Sequence, residues 1–446
     1  HLQTELFHVG MKDGRMLVKG VTSKVGGGPV LECSAEIEQP ATAYVFTGQG
    51  SQEVGMGMEL YKQSAAARNV WDTADAFMRS TYGIPLLDIV RHNPTTHTVH
   101  FAGRRGAAVR ATYRAMAYEY SEHDGSRLIS RPLFPAIGDD AESFTFHTPL
   151  GLLYATQFTQ AAMLVCEAAE FAHFEAHNIV PAHAVYAGHS LGEYAGLTAI
   201  GRVLTPETAA DIGFCRGLTM QQSVRRDPAG RSIYAMVAVS PARVANWFTP
   251  EHLAVTVAAV RQHGNYDGLL EIVNYNVRDT QYVVAGELVL LDALARMLPH
   301  VTEAALADDA LAPIAVEAVR SSRLRRDRDM QAFELQRTNA TIPLLGIDVP
   351  FHSTLLYDGV WSFRKMLQTK IKPEHVDVVR LRYRYIPNLT ACVFDTTREY
   401  IQRVLRLTGS PPLAQLLLTY DQNRVAADSA YEQHVAYVLL IEVLSY

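Results

Sequence analysis

Two short, continuous apolar runs organise this chain. Ala43-Tyr44-Val45-Phe46 and Ala184-Val185-Tyr186-Ala187 have the length of buried parallel strands, and each leads into a glycine-containing turn. Helical spacing of apolar positions appears at about 58–78, 152–177, 191–200 and 206–223. Residues 91–143 are polar, with Arg104, Arg105, Arg110 and Arg114, and read as a helical insertion. The texture then turns to β. Strands are expected at 232–239, 270–273, 282–285 and 341–349, with helices at about 241–261 and 287–319. That β-α-β-β-α-β order is the ferredoxin-like arrangement, set inside a larger α/β unit with a parallel sheet. Residues 351–446 read as mostly helical. The first 40 residues alternate, with strands at 16–24 and 30–37 and a hairpin turn at Lys12-Asp13-Gly14-Arg15. Three strands make no stable domain alone, so this stretch reads as the tail of a preceding β domain.

The sequence has 446 residues, 48% of them apolar and 19% charged, an ordinary globular balance for more than one unit. A net charge of −6 argues against nucleic acid as a partner. No apolar run reaches the length of a membrane span, and no signal-peptide pattern opens the chain. It begins His1-Leu2-Gln3-Thr4 without an initiator Met, which suggests a piece of something longer. Cys33, Cys166, Cys215 and Cys392 are sparse and form no C-x-x-C, which fits a reducing, cytoplasmic setting and gives no metal constellation. Gly48-Gln49-Gly50 lacks the third glycine and acidic partner of a dinucleotide fingerprint. Arg320, Arg323, Arg325, Arg326 and Arg328 form a basic cluster that reads better as a solvated helix face than as a docking patch.

Gly188-His189-Ser190-Leu191-Gly192 is a G-x-S-x-G sequence between an expected strand and an expected helix. A sharp strand-to-helix turn lifts the serine out of the sheet, and its glycines are needed because the turn crowds neighbouring backbone. The helix start favours developing negative charge, and the Leu191 N–H is the natural first oxyanion donor. Ser190 is therefore a candidate nucleophile on an α/β-hydrolase-like core.

Four segments, in this order, resemble the malonyl-CoA:acyl-carrier-protein transacylase family: Gly48-Gln49-Gly50-Ser51-Gln52, Gly188-His189-Ser190-Leu191-Gly192-Glu193, Cys215-Arg216-Gly217-Leu218-Thr219-Met220-Gln221 and Val349-Pro350-Phe351-His352-Ser353. Further stretches, including Val70-Trp71-Asp72-Thr73-Ala74-Asp75 and Tyr154-Ala155-Thr156-Gln157-Phe158-Thr159-Gln160, are similar to the malonyl/palmitoyl transferase region of fungal-type fatty acid synthase β subunits. The resemblance implies a division into a dehydratase-like tail and linker at 1–40, an acyltransferase core at 41–231 and 345–446, and the ferredoxin-like subdomain at 232–344. It implies Ser190 as the acylated nucleophile, His352 as general base and Gln49 as the second oxyanion N–H beside Leu191. Arg216 would grip a malonyl carboxylate with two parallel hydrogen bonds. His189 and Phe351 match malonyl-selecting versions of the motifs, and Asn274 and Asn276 match an element lining the cleft between subdomains. The family orients its histidine by a backbone carbonyl close to the domain's C-terminus, and no residue here is assigned to that task.

The implied reaction is malonyl transfer from CoA to the phosphopantetheine of an acyl carrier protein, with long-chain acyl transfer to CoA at the same serine. CoA thioesters are substrates, no cofactor is bound tightly, and other fatty acid synthase domains and subunits are partners; neither nucleic acid nor membrane is. Three rivals stand beside it: a serine hydrolase or thioesterase with the same elbow, a silent scaffold module, and the transferase of a specialised synthase making a short acyl starter.

Overall fold

The computed structural model describes residues 2–12, 15–38, 42–121, 128–181, 183–201, 203–227, 230–277, 280–307, 310–328, 333–344, 346–424 and 429–446. At the N-terminus β1 (Leu2–Lys12), β2 (Arg15–Lys24) and β3 (Pro29–Glu38) form an antiparallel sheet in that order. Lys12 stands opposite Arg15, and the expected turn at Asp13-Gly14 lies outside the described residues.

β4 (Ala43–Phe46) follows the expected run residue for residue. After it come α1 (Met58–Gln63), α2 (Ala65–Tyr82) and α3 (Leu86–His92). The Ser64 hydroxyl caps α2 by accepting from the Ala67 N–H, and Gly83 ends it in the left-handed conformation. Residues 91–143 correct the helical expectation. β5 (Thr96–His100) pairs with β8 (Ser143–His147), and β6 (Ala117–Ser121) with β7 (Leu128–Pro132). Among the described residues of that stretch past the end of α3, the one helix is α4 (Gly103–Ala115). The reason is β-branched and aromatic alternation, as in Ser143-Phe144-Thr145-Phe146-His147, whose strand partner lies far away in sequence. Val99 and Phe146 enter one core with Tyr113, Phe134 and Phe158.

α5 (Thr156–Ala176) then leads to β9 (Val185–Gly188), α6 (Gly192–Gly201) and α7 (Pro206–Gln222). β9 pairs in parallel with β4, from Ala43 opposite Val185 to Phe46 opposite Gly188. Next comes an inserted unit: β10 (Tyr234–Val239), α8 (Pro250–His263), β11 (Leu270–Val277), β12 (Gln281–Glu287), α9 (Leu288–Met297), α10 (Glu303–Ala307), α11 (Leu311–Arg328) and β13 (Thr341–Pro343). Its strands run in the order β11-β12-β10-β13 with every neighbour antiparallel. Side-chain alternation divides its two faces. Ala235, Val237 and Val239 pack with α8, α9 and α11, while Met236, Val283 and Ala285 pack with Val224, Val349 and Phe351. The expected strand at 341–349 is only three residues long.

The remainder is mostly helical, as its spacing suggests: α12 (Val360–Lys370), α13 (Val378–Leu381), α14 (Arg398–Thr408), α15 (Pro411–Arg424) and α16 (Ser429–Ser445). It also contains β14 (Tyr385–Ile386), which the sequence reading misses. β14 adds in parallel to β9, so the central sheet is ordered β14-β9-β4. All three strands end at one edge, where the chain turns at Thr47, His189 and Pro387, and α/β sheets bind ligands at that carboxyl edge.

Candidate active site

Ser190 sits between the end of β9 and the start of α6 with φ at 52°, in the left-handed region that a non-glycine residue seldom occupies. A side chain at Gly192 would stand 2.4 Å from the Phe46 carbonyl oxygen, so the elbow crosses β4 too closely for any other residue. The Ser190 N–H donates to Asn388 Oδ1 at 3.2 Å. The Leu191 N–H has no hydrogen-bond partner among the described residues, and neither does the Gln49 N–H. The turn carrying Gln49 lies against the elbow: a side chain at Gly48 would stand 2.7 Å from His189 Nδ1. Gln160 Nε2 donates to Gln49 Oε1 at 3.2 Å.

Ser190, His352 and Arg216 line one cleft of about 730 Å³ between the central sheet, the inserted unit and the C-terminal helices. His352 also has a left-handed backbone, with φ at 64°. Its ring faces the cleft and is open to solvent there, with protein packed around the hollow on its other sides. Desolvation, reinforced by Arg216 and then His189, lowers its pKa, so the imidazole is neutral at pH 7. Its ring centroid lies 6.4 Å from that of His189. Ser190 and His352 do not hydrogen-bond to each other in this structure. His189 accepts from Asn274 Nδ2 at 3.3 Å through Nε2, and desolvation lowers its pKa too.

Arg216 comes from the middle of α7 and is 8% exposed. Burial lowers its pKa, and Tyr194 and Glu193 act in the opposite direction. A guanidinium stays charged even so. The Tyr194 ring lies 5.5 Å from the guanidinium carbon, and Arg216 has no ion pair among the described residues. Leu356, Val360, Phe363, Leu389, Val443 and Leu444 give the same cleft an apolar part.

Asn276 lines the cleft from the end of β11 beside Asn274. Phe351 does not line it; it packs with Val349, Met236 and Val283 behind His352. Neither Gln49 nor Leu191 is among the residues lining the cleft: Leu191 follows Ser190 in the elbow with its side chain fully buried in the core, and the turn carrying Gln49 lies against His189. The basic cluster on α11 is largely engaged. Arg320 pairs with Glu317, Arg325 with Asp292 and Arg326 with Asp327, and Arg323 lies over the Tyr266 ring.

Two contributors escape the sequence reading. Glu193 is fully buried next to Ser190 and accepts from Tyr385 Oη at 2.5 Å and from the Asn388 N–H at 3.1 Å. Asn388 Nδ2 donates to the other Glu193 oxygen at 2.8 Å and to the Gly188 carbonyl at 2.7 Å. Desolvation raises the Glu193 carboxyl to about 7, against the pull of these donors and Arg216. Glu193 stands inside the quoted motif, but nothing there signals burial. Asn388 follows a two-residue strand that carries no pattern at all.

Residues 43–412 match the acyl transferase domain family. The chain belongs to that family. As an acyl transferase it is 45% identical over 434 residues to a fatty acid synthase subunit beta of Schizosaccharomyces pombe, with 94% of this chain and 21% of that protein covered. It is 43% identical over 430 residues to a fatty acid synthase subunit beta of Saccharomyces cerevisiae, covering 94% and 21%. The acyl transferase thus spans about a fifth of the length of these relatives. Among solved structures, a malonyl CoA-acyl carrier protein transacylase from Clostridium perfringens is 18% identical with a TM-score of 0.47, covering 83% of this chain and 84% of that one. Among the described residues no helix is long and apolar enough to cross a membrane.

Proposed function

We propose that this acyl transferase is the malonyl/palmitoyl transferase part of a fungal-type fatty acid synthase β subunit, moving malonyl from CoA to the phosphopantetheine of an acyl carrier protein. The observation that carries the reading is Arg216, a buried guanidinium without an ion pair in the same cleft as Ser190 and His352. A charge kept out of water without a partner is costly, and a substrate carboxylate would supply that partner.

In the cycle Ser190 Oγ attacks the malonyl-CoA thioester and its proton passes to His352. The oxyanion meets the Leu191 and Gln49 N–H groups, which are both unpartnered in the empty site. The intermediate collapses to the serine ester, and the CoA sulfur leaves with the proton from His352. The carrier thiol then gives its proton to His352, attacks the ester and departs as malonyl-carrier, returning the proton to Ser190. His189, held by Asn274, and Asn276 border the acyl group. Phe351 acts on substrate choice indirectly, through the seating of His352. The apolar part of the cleft suits the long acyl chain of the second reaction, transfer of palmitoyl to CoA.

The same reading divides the chain into a dehydratase-like tail and linker at 1–40, an α/β-hydrolase-like core at 41–231 and 345–446, and a ferredoxin-like subdomain at 232–344. The order β11-β12-β10-β13, with helices against one face, supports the last assignment. Partners are CoA thioesters, a carrier protein and other synthase domains, in the cytoplasm, without a tightly bound cofactor.

The first test is intact mass after brief mixing with malonyl-CoA. A malonyl adduct absent from Ser190→Ala is the expected result; a folded wild-type chain without adduct refutes the assignment. Arg216→Ala is expected to slow malonyl transfer by about 100-fold or more and palmitoyl transfer far less, because truncating one side of a buried charge pair costs about 2–5 kcal/mol. Equal losses would show that Arg216 does not select the carboxylate. Against a hydrolase, thioester consumption should accelerate strongly when carrier protein is added.

A further inference from the structure

Behind the turn that carries Gln49, on the side away from the cleft, lies a second cavity of about 370 Å³ lined by Thr47, Ser51, Glu53, Cys166, Glu167 and Glu170. Residues 47–51 make no backbone–backbone hydrogen bond. What fixes this turn is side-chain bonding: Gln160 Nε2 donates to Gln49 Oε1, the Gly50 N–H donates to Gln52 Oε1, and Glu167 of α5 anchors Thr47, where the turn begins. Glu167 Oε1 accepts from the Thr47 N–H at 2.8 Å and from the Thr47 hydroxyl at 2.5 Å. The Thr47 hydroxyl also meets the Ser51 hydroxyl at 2.9 Å, and Ser51 donates to the Gly48 carbonyl at 3.3 Å. One carboxylate oxygen therefore holds the Thr47 end of the turn and reaches Ser51 only through the Thr47 hydroxyl.

The rest of that carboxylate is poorly served. Glu167 Oε2 is buried with no hydrogen-bond partner. Desolvation raises the group to about 7 against the two Thr47 bonds, and Glu170 adds to the rise. Glu53 and Cys166 face the same cavity. An apolar side chain would remove that desolvation penalty. What Glu167 supplies in return is the location of the turn. Oxyanion donors act only when held within about 0.5 Å of the productive position.

We propose that Glu167 is a positioning residue for acyl transfer, setting the Gln49 N–H at the oxyanion through Thr47 and Ser51. This rests on the assignment of Ser190 as nucleophile and Gln49 as oxyanion donor made above. Removing an oxyanion donor outright costs about 10²–10³ in rate, and a donor left in place on a loosened turn should cost about tenfold or more.

The test measures Ser190 acylation by malonyl-CoA in rapid-quench experiments, with steady-state KM and thermal unfolding alongside, on the full 446-residue chain. Glu167→Ala, and Glu167→Met as a cavity-filling control, are expected to slow acylation about tenfold or more with KM within about twofold of wild type. Glu167→Gln keeps an oxygen acceptor for both Thr47 donors and should stay within about threefold of the wild-type rate. Thr47→Val combined with Glu167→Ala should be no worse than Glu167→Ala alone. A wild-type adduct with Glu167→Ala and Glu167→Met both acylating at full rate overturns this proposal alone. So does a Glu167→Gln variant as slow as Glu167→Ala. A folded wild-type chain without any Ser190 adduct overturns the underlying assignment and this proposal with it.

Discussion

Ser190 and His352 share a backbone property as well as a cleft: both are non-glycine residues in the left-handed region. Each such residue costs about 1–3 kcal/mol and persists only where the surroundings over-determine it. On the proposed assignment, the nucleophile is chosen by backbone as well as by chemistry. Threonine carries the same hydroxyl, but a β-branched side chain is a severe outlier at this φ. Ser190→Thr is expected to lose about 1–3 kcal/mol in urea unfolding and to form no adduct, while Ser190→Cys should unfold within about 0.5 kcal/mol of wild type. Arg216 has a second effect, through the base. Its charge is one of the causes holding His352 low. Replacing it with leucine should raise the His352 pKa and move the acid limb of acylation by an uncharged acyl-CoA to higher pH; a pH–rate profile reads this directly. Ser190, His352 and Arg216, which line one cleft, drew attention in the sequence because each stands in a string whose residue types are tied to one chemistry. Asn388 and Glu193 did not, since their roles come from burial and from contacts nearly 200 residues apart.

Elements differ in the same way. β4 could be read to the residue, because a buried parallel strand is a plain apolar run. β14 escaped because two residues hold no periodicity; only its neighbour β9 defines it as a strand. The stretch 91–143 was misread because antiparallel partners such as Thr96 and His147 lie far apart, and a polar, Arg-rich composition conceals alternation. The helices carry their own tests. Arg364 of α12 and Glu442 of α16 form a buried ion pair at 2.8 Å, with side chains 8% and 1% exposed. Glu442→Ala would strand a buried cation and is expected to cost about 3–5 kcal/mol in chemical unfolding, whereas Arg364→Met with Glu442→Leu should recover most of it. Glu193 links α6 to β14 and its titration is readable as stability. Its folded pKa of about 7 exceeds its ordinary 4.5, so its contribution is full below 4.5 and is lost as pH rises through 7. His352 runs oppositely: its folded value lies below 6.5, so its contribution is present above 6.5 and falls away as pH drops below it. Between pH 4.5 and 6.5 the two oppose each other, so Glu193→Gln should make Tm rise more steeply with pH across that window than it does in wild type, and parallel Tm profiles would refute the assignment.

At the scale of the molecule, the proposed nucleophile and the proposed base belong to different stretches separated by the inserted unit. Ser190 precedes β10, and His352 follows β13. The apolar cluster of Met236, Val283, Ala285, Val349 and Phe351 fixes the segment bearing His352, so the insertion helps build the site as well as interrupting the chain. The order of strands and helices was legible from alternation of period, and the cleft was not, because it exists only where three separately encoded surfaces meet. A site assembled from two strained residues on opposite sides of an insertion has a particular failure mode. Loosening the packing around either residue releases its strain locally, at a smaller free-energy cost than melting the sheet. Catalytic competence should thus behave as the most fragile reporter of the native state. In a urea series, Ser190 acylation is expected to vanish at a lower concentration than the helical circular dichroism signal. Coincident midpoints would mean that the site and the scaffold fail together.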